Sequence, residues 1–327
     1  MIDRALLERI VDRARLAPSV HNVQPTRWSL DGAGRILLLD SPSIRLPVAD
    51  PSGRDILISH GAALEGTLIA LAEAGWAGEV EAAAENGALA AIRVARDTAA
   101  DAMPEVDRRA SWRGAFVRPS DPSALDRLQR ASPDLVLVRG EPAIERISTL
   151  GDDAAMHFLR DARHRRELLQ WMRLTRAHPQ WDSDGLNAEA MALRPIEARA
   201  AGLVLGPLFG MLDRVGLART LLSEKAKTAA ASAIALFFRP RGESALVSGR
   251  AFYRAWLTLE RHGFAACPIS VLADWDETNR LLSAQHNPSA DLALLSVFRI
   301  GERPAGSRIV RSRKPGEALT VFTEQTS

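Results

Sequence analysis

The chain has 327 residues, of which 46% are hydrophobic and 25% charged, with a formal net charge of +2. A chain of this length buries roughly three quarters of its unfolded surface, so a large core or two smaller ones are available and global disorder is excluded. Its single cysteine rules out an internal disulfide and a cysteine-rich metal or iron–sulfur site built by this chain alone, and its interspersed charges argue against nucleic-acid binding.

In chain order, the first segment carries charges inside an apolar stripe. It predicts an amphipathic helix over residues 5–16 rather than a signal peptide. Pro18 stops that helix, and residues 17–25 form a polar loop. Strands are expected at 28–30 and 35–39, paired about Asp31-Gly32-Ala33-Gly34. Ile56, His60, Ala63, Leu64, Thr67, Leu68 and Leu71 recur at helical spacing and predict a long helix over 53–74, closed by Gly75. Strands at 77–83 and 89–95 complete a first module, residues 1–100.

The second module, residues 101–327, opens on a charged and aromatic loop at 108–116. A helix at 123–130, a strand at 135–138 and a mostly helical stretch at 144–175 follow. Residues 178–216 interrupt the periodicity with Asp184-Gly185, Pro195, Gly202, Gly206, Pro207 and Gly210. This pattern leaves open an inserted arm or lid and a pair of short core helices. A buried strand at 231–238, a helix at 249–261, a strand at 292–300 and a basic segment at 308–314 complete the chain. No stretch offers about 18 apolar residues free of charge. The richest, 228–238, is too short, so a cytoplasmic protein with no membrane partner is expected.

Several chemistries lack their anchors. There is no Gly-x-Gly-x-x-Gly after a strand, no Walker A sequence, no His-Glu-x-x-His metal motif and no Gly-x-Ser-x-Gly. Cys267 sits among apolar neighbours and reads as a small buried hydrophobe. Three polar loops carry more information. Ser19, Asn22 and Gln24 lie between Pro18 and Pro25, a group able to grip a planar heterocycle; taken alone, the loop reads as a surface turn. Arg109, Ser111 and Arg113 fall on one side of an extended segment, and two guanidiniums with a hydroxyl match the oxygens of a phosphate. Arg311, Arg313 and Lys314 form a second basic element able to close on the same group.

Together these loops resemble the nitroreductase superfamily, and more narrowly its long single-chain, two-module branch of the dormancy-associated mycobacterial kind. The resemblance rests on Ala17-Pro18-Ser19 with Asn22 and Gln24-Pro25, and on Arg109-x-Ser111-x-Arg113 with Phe116. It also rests on Trp181 with residues 184–189, on Gly263-Phe264-Ala265-Ala266-Cys267-Pro268-Ile269, and on Gly301 with Arg311-x-Arg313-Lys314-Pro315. It implies an α+β fold: a central mixed or antiparallel sheet flanked by helices, in two tandem modules that form an internal pseudo-dimer. A monomer is then expected, with a further homodimer left open.

The resemblance further implies FMN as cofactor and NAD(P)H as hydride donor to a nitroaromatic, quinone or similar small acceptor; the alternative is an FMN store with little turnover. Arg109, Ser111 and Arg113 would hold the phosphate and ribityl chain, with Arg311 and Arg313 closing on them. Pro18, Ser19 and Asn22 would come from the first module, and Pro268, Ile269 and Ser270 would present backbone groups to the ring, with a Ser270 or Val271 amide near its N5. No catalytic side chain and no metal ligand is expected. The chain departs from the family pattern in having no Arg-x-Ser-x-Arg before Ala17, and in carrying Val271-Leu272 where a Gly-Phe pair usually stands.

Overall fold

The structure is a computed structural model that describes residues 2–81, 87–97 and 102–322. Residues 82–83 of the expected third strand and the boundary placed at 100/101 lie outside the described residues. The first module runs α1 (Arg4–Ala14), β1 (Thr26–Leu30), β2 (Ile36–Asp40), α2 (Arg54–Glu73), β3 (Trp76–Glu81) and β4 (Ala90–Arg96). The chain crosses by α3 (Glu105–Arg108) and α4 (Ala124–Ala131) to β5 (Leu135–Val138), α5 (Glu141–Arg160) and α6 (Ala162–Trp171). Short elements follow: β6 (Met172–Arg173), β7 (Leu186–Asn187), α7 (Pro195–Leu205), α8 (Phe209–Arg214), α9 (Leu217–Leu222) and α10 (Lys225–Ala229). The second sheet is completed by β8 (Ala233–Pro240), α11 (Ala245–Arg261), β9 (Ala265–Pro268), α12 (Val271–Asp274), α13 (Asp276–His286) and β10 (Leu292–Gly301).

The two sheets have one topology. The first is ordered β1-β2-β4-β3 and the second β5-β8-β10-β9, and every neighbouring strand pair in both is antiparallel. In each module a long helix joins the second strand to the third. These helices, α2 and α11, cross in reciprocal contact. A Cβ on Gly61 would stand 2.1 Å from the Leu246 carbonyl oxygen, and one on Gly249 would stand 2.2 Å from that of Ile58. Each glycine thus meets the residue three places before the other, the signature of a two-fold contact built within one chain. The fold is α+β and nitroreductase-like, with two similar sheets flanked by helices.

Three cores hold this frame. Leu7, Ile10, Trp28, Leu64, Leu71 and Ile92 fill the first module. Strand β8 is covered on both faces: Ala233, Ala235 and Phe237 pack with Trp256 and Phe298, while Ile234, Leu236 and Phe238 pack with Leu272 and Val297. Helix α2 is long and apolar enough to cross a membrane, but it is mostly buried as the central helix of the pseudo-dimer.

The helical stretch expected at 144–175 breaks into two. Asp161 is extended, and its carboxylate accepts the Arg163 N–H at 2.7 Å, capping a new helix. Residues 178–216 form turns and short helices with their own small cores: Trp181 against Ala188 and Ala198, Phe209 against Met156 and Ala218. The segment beyond β10 returns to the first module, where Leu319 joins the core and accepts the Trp28 N–H at 2.9 Å.

Candidate functional site

A cavity of about 300 Å³ lies between the modules, a size typical of small-molecule sites. Pro18, Ser19, Asn22, Arg109, Ser111, Arg113, Pro268, Ser270, Arg311 and Arg313 all line it. Ile269 does not. Its side chain packs into the core with Leu272, and its N–H donates to the Val297 carbonyl at 2.7 Å, fixing the turn between Pro268 and Ser270.

The first-module wall is a strained loop. His21, Asn22 and Gln24 have φ of 43°, 56° and 53°, the left-handed region that non-glycine residues rarely occupy. Side chains hold them there. Ser19 Oγ accepts the Gln24 N–H at 3.1 Å, and the Gln24 amide donates to Ser183 and accepts from the Lys314 N–H. Asn22 Nδ2 donates to the Gly185 and Ser312 carbonyls at 3.0 Å each, and its Oδ1 accepts from Arg313 Nη1 at 2.7 Å. The polar atoms of Asn22 are therefore engaged by protein, and the residue acts by tying three cavity segments together.

The second wall hangs on the edge of β9. Ser111 forms a parallel bridge with Ala266, and the Trp112 N–H donates to the Ala266 carbonyl at 2.8 Å. This extended pairing brings Arg109, Ser111 and Arg113 to the cavity together. Arg113 donates to the Ala190 carbonyl at 3.3 Å, reaching the inserted segment, from which Gly185, Leu186 and Ala190 line the cavity. Gly185 has φ of 71°, and a Cβ there would stand 2.4 Å from the Trp171 carbonyl oxygen, so no other residue fits. The remainder of 178–216 packs elsewhere, and Leu203 faces solvent.

Three guanidiniums dominate the electrostatics. Arg109 is 2% exposed, lies over the Trp256 ring at 4.9 Å and donates to the Leu16 carbonyl. Arg311 donates to the Asp107 carbonyl, and Arg313 donates to the Arg15 carbonyl at 2.8 Å. Among the described residues none of the three has a carboxylate partner, and the buried Nε atoms of Arg109 and Arg311 have no partner at all. Burial, with mutual repulsion, pushes Arg311 down to about 10 and Arg313 well below its ordinary value; burial lowers Arg109 too. A guanidinium stays protonated in proteins, so the three remain like charges. Glu260 acts on Arg109 and Arg311, and Asp107 on Arg311; Asp107 is ion-paired with Arg13, and Glu260 is ion-paired with Arg303 and pushed up to about 7 by burial. Unneutralised like charges in a low-dielectric setting are costly, and a bound dianion would offset that cost. Orphaned guanidinium donors therefore fit a phosphate group.

Other lining residues carried little sequence signal. Phe252 and Trp256 were legible only as one face of a helix. His21 reads as part of a turn, yet its Nδ1 is sealed without a partner, and burial pushes the ring down to about 4, with His164 and Arg113 adding to the shift. Asp55 looks like an ordinary first-turn helix acid, and Asp274 like a polar residue after a proline loop. Both line the cavity.

Two antiparallel sheets of equal topology, joined through a two-fold helix crossing with a cavity between them, make a nitroreductase-like fold. The sequence relatives narrow this: the chain is related to mycobacterial NAD(P)H nitroreductase-like proteins. It is 30% identical over 181 residues to the candidate NAD(P)H nitroreductase Rv3131 of Mycobacterium tuberculosis (strain H37Rv), an alignment covering 52% of each chain. The chain thus spans about half the length of this curated relative. It is 37% identical over 81 residues to Acg of the same organism, covering 25% of this chain and 24% of that one. Among solved structures, the FMN-dependent nitroreductase NfnB of Mycobacterium smegmatis, in complex with NADPH, aligns with 64% of this chain and 92% of its own at 16% identity and a TM-score of 0.36. No protein-family model matches the chain.

Proposed function

We propose that the chain binds one FMN in this cavity and reduces a small acceptor, a nitroaromatic or a quinone, with electrons from NAD(P)H. The observation that carries this reading is the trio Arg109, buried, and Arg311 and Arg313, half-buried, which among the described residues have no carboxylate partner. With Ser111 and Arg113 they would hold the phosphate and ribityl oxygens. Pro18 and Ser19 would bound the ligand from the first module. Pro268 and Ser270 would face the ring. Bound there, FMN would supply the redox centre between a nicotinamide and the acceptor.

The test is direct. Flavin released from the purified protein is chromatographed, with one FMN per chain expected. FAD, two flavins per chain, or no binding of added FMN overturns the reading. Anaerobic mixing with NADH and NADPH should bleach the flavin with at least one donor. A protein that keeps FMN and is reduced by neither is a flavin store rather than a reductase.

A further inference from the structure

The cavity is charged in two opposite senses. Asp55, in the first turn of α2, and Asp274, at the end of α12, bring one carboxylate from each module to its lining. They share one guanidinium: Arg54 Nε donates to Asp55 at 3.1 Å and Nη2 to Asp274 at 2.7 Å. Among the described residues no second cation pairs with either. Asp50 adds negative charge beside Asp55, and Ser270 hydrogen-bonds Asp274. On the elements packed against α12, His157 of α5 stacks on Trp275 at 4.6 Å, and α13 opens with two more acids, Asp276 and Glu277. Two ionised carboxylates on one arginine leave a surplus negative charge in a mostly buried setting. A single shared proton removes it.

We propose that the Asp55–Asp274 pair is the proton donor of this site, holding one proton at the cavity wall and delivering it to a quinone-type acceptor. The proposal rests on the FMN reading above. Bound FMN, once reduced by NAD(P)H, would supply a hydride with its two electrons to one quinone oxygen. The carboxyl O–H bond breaks, its proton forms the new O–H bond on the other oxygen, and a neutral hydroquinone leaves. The carboxylate then regains a proton from water. Burial and the neighbouring Asp55 charge push Asp274 up to about 7, and Asp55 is raised as well, mainly by burial. Such a pair both holds and releases a proton near neutrality, where a general acid works best.

The test combines infrared difference spectroscopy with rapid kinetics on the protein as isolated. Between about pH 5 and about pH 9 the wild type should show a protonated-carboxyl band that persists near pH 7 and disappears in alkali. Asp274→Asn should remove it. Asp55→Asn should remove it too, because the remaining carboxyl, alone on Arg54, ionises. Each substitution should slow reoxidation by a quinone about ten- to a hundredfold near pH 7 and flatten the alkaline fall in rate, at unchanged FMN content. Having two independent variants guards against one that fails to fold. Absence of the band near pH 7 in the wild type, or its removal with no change in rate or pH profile, overturns the proposal. A protein without flavin defeats the FMN reading and the donor role with it. The band and its loss would still report the shared proton, so the two failures are distinct.

Discussion

In the first module the edge strand β1 is extended by Thr320 of the returning C-terminal segment; in the second, β9 is extended by Ser111 of the inter-module loop. Both additions are parallel, in sheets otherwise antiparallel. By topology β1 corresponds to β5 and β9 to β3, so the additions sit on opposite edges of equivalent sheets. The central helices differ likewise. Helix α2 meets its partner with Gly61, Ala62 and Ala63, whereas α11 places Phe252, Tyr253 and Trp256 around the arginine cluster and the cavity. The common scaffold sets the two-fold frame, and the chemistry comes from what is laid on one edge of one copy.

The largest effect is expected at the frame. Gly249→Val forces side-chain atoms into the α2 backbone and should cost about 3 kcal/mol or more, enough to deplete folded protein. Gly249→Ala should also destabilise, although alanine is the better helix former by about 1 kcal/mol. Gly32→Ala, with open space around its Cβ, is the neutral control in the same denaturant titration. A stabilised Gly249→Ala would break the two-fold contact as an explanation.

Next in size is the edge that carries the site. Arg113→Ala and Arg311→Met should each weaken FMN binding by about 2–5 kcal/mol, read by flavin titration, because each removes a charge-assisted contact. Ligand-free Arg311→Met should lose less than about 1 kcal/mol of stability, since removing one like charge relieves repulsion within the trio. Unchanged affinity in both variants would detach the β9 edge and the returning C-terminal segment from the ligand.

A smaller effect follows from His21. Its folded value of about 4 lies below the ordinary 6.5, so between those values the unfolded chain takes up a proton that the folded one refuses. The stabilisation is therefore complete above about pH 6.5 and is lost as pH falls towards about 4. Denaturation midpoints measured across that window should decline less in His21→Asn. His60, His164 and His286 are lowered as well, so part of the slope persists.

The smallest effect belongs to Cys267, which is 4% exposed with apolar neighbours. Cys267→Ala should keep its flavin and lose about 1 kcal/mol of stability from the lost packing. A hundredfold fall in turnover with folding intact would restore the thiol to the chemistry.

Much of the frame was legible because its signals are local. The helix over 53–74 and the strand at 292–300 follow from periodicity, and alternation alone brings Arg109, Ser111 and Arg113 to one side. Phe116 and Gly301, noticed separately as parts of a resemblance, turn out to be in contact: a Cβ at Gly301 would stand 2.6 Å from the Phe116 ring. The rest depended on distance in space. Nothing near residue 22 in sequence shows that Asn22 is engaged by Gly185, Ser312 and Arg313. The direction of Ile269 is fixed by Val297, and the meaning of Asp55 is set by Asp274, which lies in another module. The inserted segment reads as a roof from its apolar residues, yet only 185–190 reaches the cavity, because Trp181 and Phe209 find cores of their own.

The return of the chain after β10 also orders events in time. Residues 310–313, with Arg311 and Arg313 among them, are synthesised after every other residue that lines the cavity, and Leu319 joins the first core later still. On the ribosome the first module must wait, with Trp28 uncapped, until almost all of the second has emerged. A phosphate ligand captured before then would meet only part of its cationic grip. Loading would thus follow synthesis of residues 310–313, and a nascent chain stalled before residue 310 should neither retain the ligand nor protect its first module from proteolysis.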